Sequence, residues 1–252
     1  MIKGMIFAAG LGTRLLPITN SMPKALVEVG GQPMLRMVID KLVAAGAAEI
    51  VVNVHHFADQ VEAYLESVEA ETGARIIISD ERDELLDTGG GVLAARPMLE
   101  DADAIVLHNA DILSDASIDM MIAYHSYIGG LGTLMVNPRR ESSRLLLFDS
   151  GLRLRGRINL TSGAVTPPCL DADGLERAAF SGIHVVSPGI FVALKDYSDT
   201  TGRKAFSITD FYAECCDKVP VFGYVAEQPS MWLDVGRPES LAEARALLTQ
   251  QV

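Results

Sequence analysis

A short apolar run, Met5 to Ala8, breaks abruptly into a loop carrying Gly10, Gly12, Thr13 and Arg14, and a Pro23-Lys24 pair closes the stretch. An apolar run this short, ended by glycine, reads as a buried strand that delivers a bare backbone to one place. Small residues let a ligand approach closely, and successive N–H groups in such a loop form an anion-binding concavity. Arg14 adds a planar fork of donors suited to phosphate oxygens, and Lys24 a mobile point charge. The residues therefore point to a polyphosphate site. Two familiar versions of such a site do not fit. The dinucleotide fingerprint wants a third glycine where Leu15 stands, and Pro17 and Pro23 oppose the helix it requires. The P-loop ends in Gly-Lys-Ser/Thr, which is absent.

Downstream, apolar runs alternate with helical patterns. Val27 to Val29 and the Gly30-Gly31 turn lead to Pro33, a favourable first helical residue. Met34, Met37, Val38, Leu42 and Val43 then recur at helical spacing until Gly46. Ile50 to Val54 reads as a strand, Phe57 to Glu69 as an amphipathic helix, and Ile76 to Ile78 as a third strand. This order predicts a parallel sheet with helices on both faces, binding ligands at the carboxyl ends of its strands. His55 and His56 follow the second strand without metal-ligand spacing and read as surface residues or neighbours of the site. Thr88 precedes three glycines, Gly89 to Gly91, which read as a loop before a helix starting near Val92. Ala104 to Leu107 is a strand running into Asp111, and Ser114 and Asp115 can cap the helix that follows, which leaves Asp111 free. From Thr133 the pattern turns antiparallel, with a hairpin at Asp149-Ser150-Gly151 and a strand from Ala178 to Val186. Asp234 lies between apolar neighbours just before Gly236, where a carboxylate without a partner would be costly.

Composition narrows the partners. The chain has 252 residues, 33 acidic against 21 basic, for a net charge of −12. That argues against nucleic acid and anionic membrane, and it makes the cations of the first loop more telling. Cys169, Cys215 and Cys216 show no metal-ligand spacing and read as reduced thiols, so a cytoplasmic location is expected. The apolar start is too short for a signal peptide, and no stretch is long enough to span a bilayer.

The string Gly12-Thr13-Arg14-Leu15, Pro17-Ile18-Thr19 and Pro23-Lys24 resembles the signature of the sugar-1-phosphate nucleotidyltransferases. The likeness continues in order through the Thr88 loop, both aspartates and the run Ala179 to Pro188. It implies an α/β fold, a Rossmann-like, mostly parallel sheet flanked by helices, with a smaller antiparallel substrate lobe. One domain is expected, with a nucleotide-binding half over 1–132, a sugar-phosphate lobe over 133–226, and a closing segment over 227–252. The resemblance assigns Arg14 and Lys24 to catalysis and Ala9, Gly10, Gly12 and Thr13 to the nucleotide. It gives Thr88, Gly89 and Gly90 to the base, and Asn159, Ser181 and Gly182 to the sugar. Asp111 and Asp234 are implied ligands of Mg²⁺. Among family members the chain looks most similar to short bacterial N-acetylmuramate-1-phosphate uridylyltransferases and mannose-1-phosphate guanylyltransferase-like proteins. The implied reaction joins a nucleoside triphosphate, UTP favoured, to a sugar 1-phosphate. The alternatives are a GTP-dependent mannose-1-phosphate guanylyltransferase and a non-catalytic regulator that binds sugar nucleotides. A dinucleotide-dependent oxidoreductase would leave Lys24, Asp111 and Asp234 without roles. Oligomeric state stays open. The chain departs from the family pattern in three places. Ala9-Gly10 replaces paired glycines, and Glu81 and Arg82 stand where relatives often have glutamine. A Glu-Lys-Pro step is missing, so either Arg144, Arg153, Arg155 or Arg157 meets the sugar phosphate, or nothing does.

Overall fold

The computed structural model describes residues 1–168, 170–226 and 231–249. Cys169 and residues 227–230, where the sequence places the start of the closing segment, lie outside the described residues. Contacts divide the chain into two interleaved units. The first comprises Met1–Leu85, Val106–Ile118 and Ser230–Val252, and the second Leu86–Ile105 and Asp119–Pro229.

The first unit is built on strands Ile2–Phe7, Ala47–Val54 and Arg75–Asp80, joined in parallel, with Ala104–Asn109 beside the opening strand. Met5, Ile6, Ile50, Val51, Val52 and Val54 are buried, as strands covered on both faces require. Helix Met34–Ala44 buries Met34, Leu35, Val38, Ile39 and Leu42, the stripe its spacing predicts. Pro33 sits just outside that helix, paired with Glu28 in a two-residue ladder. Helix Ala58–Thr72 turns Val61, Leu65 and Val68 inward, each worth roughly 2 kcal/mol of burial.

The second unit is mainly antiparallel. Its strands run in the order Val165–Thr166, Leu154–Asn159, Arg144–Phe148, Glu176–Val186, Gly132–Asn137 and Val221–Val225, the last pair parallel. The hairpin at Asp149 is held by its own side chain, whose Oδ1 accepts the N–H groups of Gly151 and Arg153, each at 3.0 Å. The long strand Glu176–Val186 changes register between Phe180 and His184, and Gly182 takes φ 77° there. Such a bulge re-aims side chains and often borders a site. Parallel strands with helices thus dominate the first unit and antiparallel strands the second. No described helix is long and apolar enough to cross a membrane.

Two buried histidines link the core to pH. His125 receives the Thr133 hydroxyl proton at Nδ1 and donates from Nε2 to Ser187, each at 2.9 Å. That tautomer follows because the Ser187 hydroxyl donates to the Gly130 carbonyl at 3.2 Å. His108 is fully buried, its Nδ1 donating to the Asn109 carbonyl at 2.8 Å. Burial pushes His108 down to about 4 from an ordinary 6.5, and pushes His125 down as well. Between pH 6.5 and 4 the unfolded chain binds a proton at His108 that the folded chain refuses. This contribution to stability, about 3 kcal/mol, is complete above the upper limit and is lost as pH falls through the window. Urea unfolding at neutral and acid pH should show a drop that is smaller in His108→Asn than in wild type by about 2 kcal/mol.

Candidate active site

The loop begins under tight control. At the end of strand Ile2–Phe7, the N–H groups of Ala8 and Ala9 both donate to Asn53 Oδ1, at 2.8 and 3.3 Å. Asn53 lies opposite Phe7 on the neighbouring strand and is buried. Its Nδ2 donates to Glu81 Oε1 at 2.8 Å, and His55 Nδ1 donates to the Glu81 carbonyl at 2.7 Å. A buried polar chain across two strands therefore fixes the point where the loop departs. Gly12 follows with φ 65°, and an added Cβ would stand 2.9 Å from the Thr19 methyl and 3.1 Å from Lys24 Cβ. The Thr19 hydroxyl donates to the Gly12 carbonyl at 2.8 Å. Gly10, by contrast, faces open space, with nothing within 4 Å of an added Cβ.

The loop continues in three short 3₁₀ turns, Thr13–Leu15, Ile18–Asn20 and Lys24–Leu26. Leu15 anchors them in a core shared with Val27, Val29, Met34, Leu113, Leu233 and Val235. With Leu15 locked inward, its neighbour Arg14 stays at the exposed surface. Lys24 forms an ion pair with Asp111, the two side chains 14% and 19% exposed.

Asp111 and Asp234 are far apart in the chain and adjacent in space. Strand Ile112–Ser114 pairs antiparallel with Trp232–Asp234, in a register that sets Asp234 opposite Ile112. The ladder is extended by the Val235 N–H donating to the Asp111 carbonyl at 2.8 Å. The Gly236 N–H then donates to Asp234 Oδ1 at 2.9 Å. A Cβ built on Gly236 would stand 2.6 Å from Asp234 Oδ1, 2.8 Å from Arg14 Nη2 and 3.1 Å from Lys24 Nζ. Two cations and two carboxylates thus converge within the first unit. Sequence reasoning gave no role to three contributors: Thr19 and Gly236, named only as parts of motifs, and Asn53. Asn53 had a readable signal, a lone amide in the β-branched run Ile50 to Val54.

The remaining assigned residues lie in the second unit. The three glycines are inside a helix, Asp87–Ala94, and not in a loop ahead of one. Their bareness has a partner in the chain itself. A Cβ on Gly89 would stand 2.4 Å from the Phe206 ring, and one on Gly90 2.2 Å from the Lys204 carbonyl oxygen. The Gly89 and Gly90 N–H groups donate to the Phe206 carbonyl at 2.8 and 3.3 Å. Thr88 Oγ1 accepts the Ile208 N–H at 3.0 Å, capping helix Ile208–Glu214. Asn159 Oδ1 accepts the N–H groups of Thr161 and Ser162, while Ser181 is buried beside the bulge at Gly182. Arg153 donates to the Asp217 carbonyl, Arg155 pairs with Asp149, and Arg157 pairs with Asp210; Arg144 is exposed. In the first unit, Arg82 is held by Asp59, Glu62 and Asp80.

The chain matches the Nucleotidyl transferase family model over residues 3–158 and 161–251, and it belongs to that family. It is 33% identical over 254 residues to N-acetylmuramate alpha-1-phosphate uridylyltransferase of Caulobacter vibrioides, covering 98% of this chain and 96% of that one. It is 24% identical over 253 residues to mannose-1-phosphate guanyltransferase beta-B of Xenopus laevis, covering all of this chain and 66% of the relative. The fold matches a crystal structure of apo UDP-glucose pyrophosphorylase with a TM-score of 0.79, at 17% identity over 100% of this chain and 99% of that one.

The packing of the glycine helix has a measurable consequence. Gly90→Ala should lose about 2 kcal/mol or more in urea unfolding, because the added methyl meets a backbone carbonyl that cannot step aside. An unchanged unfolding midpoint would remove the packing explanation for the glycines.

Proposed function

We propose that the chain transfers a nucleotidyl group from a nucleoside triphosphate, UTP in preference, to a sugar 1-phosphate and releases pyrophosphate. One observation carries the reading: Arg14, Lys24, Asp111 and Asp234 converge at one end of a two-stranded ladder. Similarity to a uridylyltransferase along almost the whole chain supports UTP, and the guanyltransferase relative makes GTP the second reading. A phosphate oxygen of the sugar phosphate attacks the α-phosphorus in line. The bond from that phosphorus to the oxygen bridging the β-phosphate breaks, and pyrophosphate leaves with the electron pair. The attacking oxygen is already anionic, so no general base is needed. The protein then contributes position and charge.

In this reading Arg14 and Lys24 offset the negative charge that gathers on the departing pyrophosphate. The loop from Ala9 to Thr13 offers its backbone to the phosphates. Thr88, whose oxygen accepts from Ile208, keeps its own proton to donate to a base carbonyl. Asn159, Ser181 and Gly182 would meet the sugar. Asp111 and Asp234 would hold Mg²⁺, and the donor set fits. Both are hard oxygen ligands, and Lys24 already sets a cation against Asp111. Among the described residues no group of three or more His, Cys, Asp or Glu could hold a metal ion alone. Phosphate oxygens and water would therefore complete the shell. Bound there, the ion would offset phosphate charge and help orient the attacking oxygen.

Pyrophosphate release across a panel of nucleoside triphosphates and sugar 1-phosphates tests the reaction. UTP should lead, and a GTP advantage above about tenfold, or 1.4 kcal/mol, would reverse the order. Lys24→Ala should fold and lose roughly 3 kcal/mol of transition-state stabilisation, about a hundredfold in rate. Wild-type turnover in that folded variant would end its assignment to phosphate. Gly10→Ala is a separate probe of the loop, since the methyl meets no protein atom. Its unfolding midpoint should match wild type while nucleotide affinity, read by calorimetry, falls. Equal affinity would mean that no ligand passes close to Gly10.

A further inference from the structure

We infer that Gly236 is a positioning residue, whose missing side chain sets the spacing of Arg14, Lys24 and Asp234 and is required by the reaction, not by the fold. The inference rests on the reading of those three side chains as active-site groups. Gly236 is buried, and its φ lies outside the left-handed region, so an L-residue could adopt its backbone without strain. What a methyl would meet there is unusual. All three nearest atoms are the tips of charged side chains: Asp234 Oδ1 at 2.6 Å, Arg14 Nη2 at 2.8 Å and Lys24 Nζ at 3.1 Å.

That differs from Gly90 and Gly130, where main chain stands in the way, and from Gly4 and Gly189, where the nearest tip is that of an apolar leucine. At Gly90 the obstacle is the Lys204 carbonyl, and at Gly130 it includes the Pro220 carbonyl, so substitution there strains the chain. At Gly236 the obstacles can swing away by small rotations about their own side-chain bonds, which costs the fold little. It costs the site its geometry. Asp234 would lose the alignment that lets Oδ1 accept the Gly236 N–H. Arg14 and Lys24 would be pushed outward from the same point. Because Val235 is bonded to the Asp111 carbonyl, one two-residue step touches all four charged residues, either through the backbone or through the space over Gly236. Placing phosphate-binding groups to within a fraction of an ångström is what a reaction driven by position demands.

The test compares Gly236→Ala with wild type by thermal unfolding and steady-state kinetics, with Arg14→Ala and Asp234→Asn beside it. The expected result is an unfolding midpoint within about 2 °C of wild type, kcat lowered about tenfold or more, and KM for the sugar 1-phosphate within about threefold. A residue that only packs would move the midpoint and leave kcat in place. Wild-type kcat in Gly236→Ala overturns the inference, and so does loss of folding, since either outcome denies that the glycine serves the reaction alone. If Arg14→Ala and Asp234→Asn lose turnover while Gly236→Ala keeps it, only the role of Gly236 falls. If all three keep wild-type turnover, the reading of the site falls with it.

Discussion

The proposed site of this chain hangs on a short antiparallel ladder, Ile112–Ser114 against Trp232–Asp234, closed by the Val235 N–H on the Asp111 carbonyl. Neither strand is long enough to be stable alone. Each is held by the core that Leu113, Leu233 and Val235 share with Leu15 and Leu241. The same core therefore registers three things at once: the carboxylate after the strand Ala104–Asn109, the carboxylate near the end of the chain, and the turns that carry Arg14 and Lys24. A slip of one residue in the ladder would turn either Leu113 or Leu233 out of the core, so burial itself enforces the pairing of the two aspartates.

Charge explains why the cluster holds together before any substrate arrives. In a chain of net charge −12, two aspartates side by side would repel, and both are only partly exposed. Lys24 lies against one and Arg14 reaches the space beside the other, so the group is balanced by residues of its own loop. On the proposed function, a triphosphate entering such a site would meet cations already gathered, in a chain whose net charge is negative.

Much of this was readable in the residues, and the failures have physical causes. Apolar runs and helical spacing placed the strands and helices of the first unit closely, since burial sets both patterns. Asp111 and Asp234 stood out individually, as carboxylates beside apolar runs. Their meeting is a matter of strand pairing over a long sequence separation, which no local pattern encodes; only the resemblance linked them. The triple glycine was read as a loop before a helix, and it lies inside one, because what it packs against was missed. Phe206 and Lys204 lie far along the chain, and a glycine records that something is close without recording what. Asn53 was hidden for the opposite reason, being one polar residue in a strand whose neighbours dominate the pattern.

The glycines, sorted by what stands over them, separate fold from chemistry. Gly90 is confronted by main chain, Gly10 by nothing, and Gly236 by three charged tips. Main chain cannot yield, so the first kind belongs to folding. Gly10 combines open space with a φ outside the left-handed region, so filling it costs the folded chain little, and its bareness has value if something from outside comes close. Charged tips can yield, and a protein has no reason of stability to spare them. On the proposed roles of those side chains, a glycine kept under such tips is explained by the work they do, and the position of Gly236 between Asp234, Arg14 and Lys24 links the end of the chain to the loop at its start.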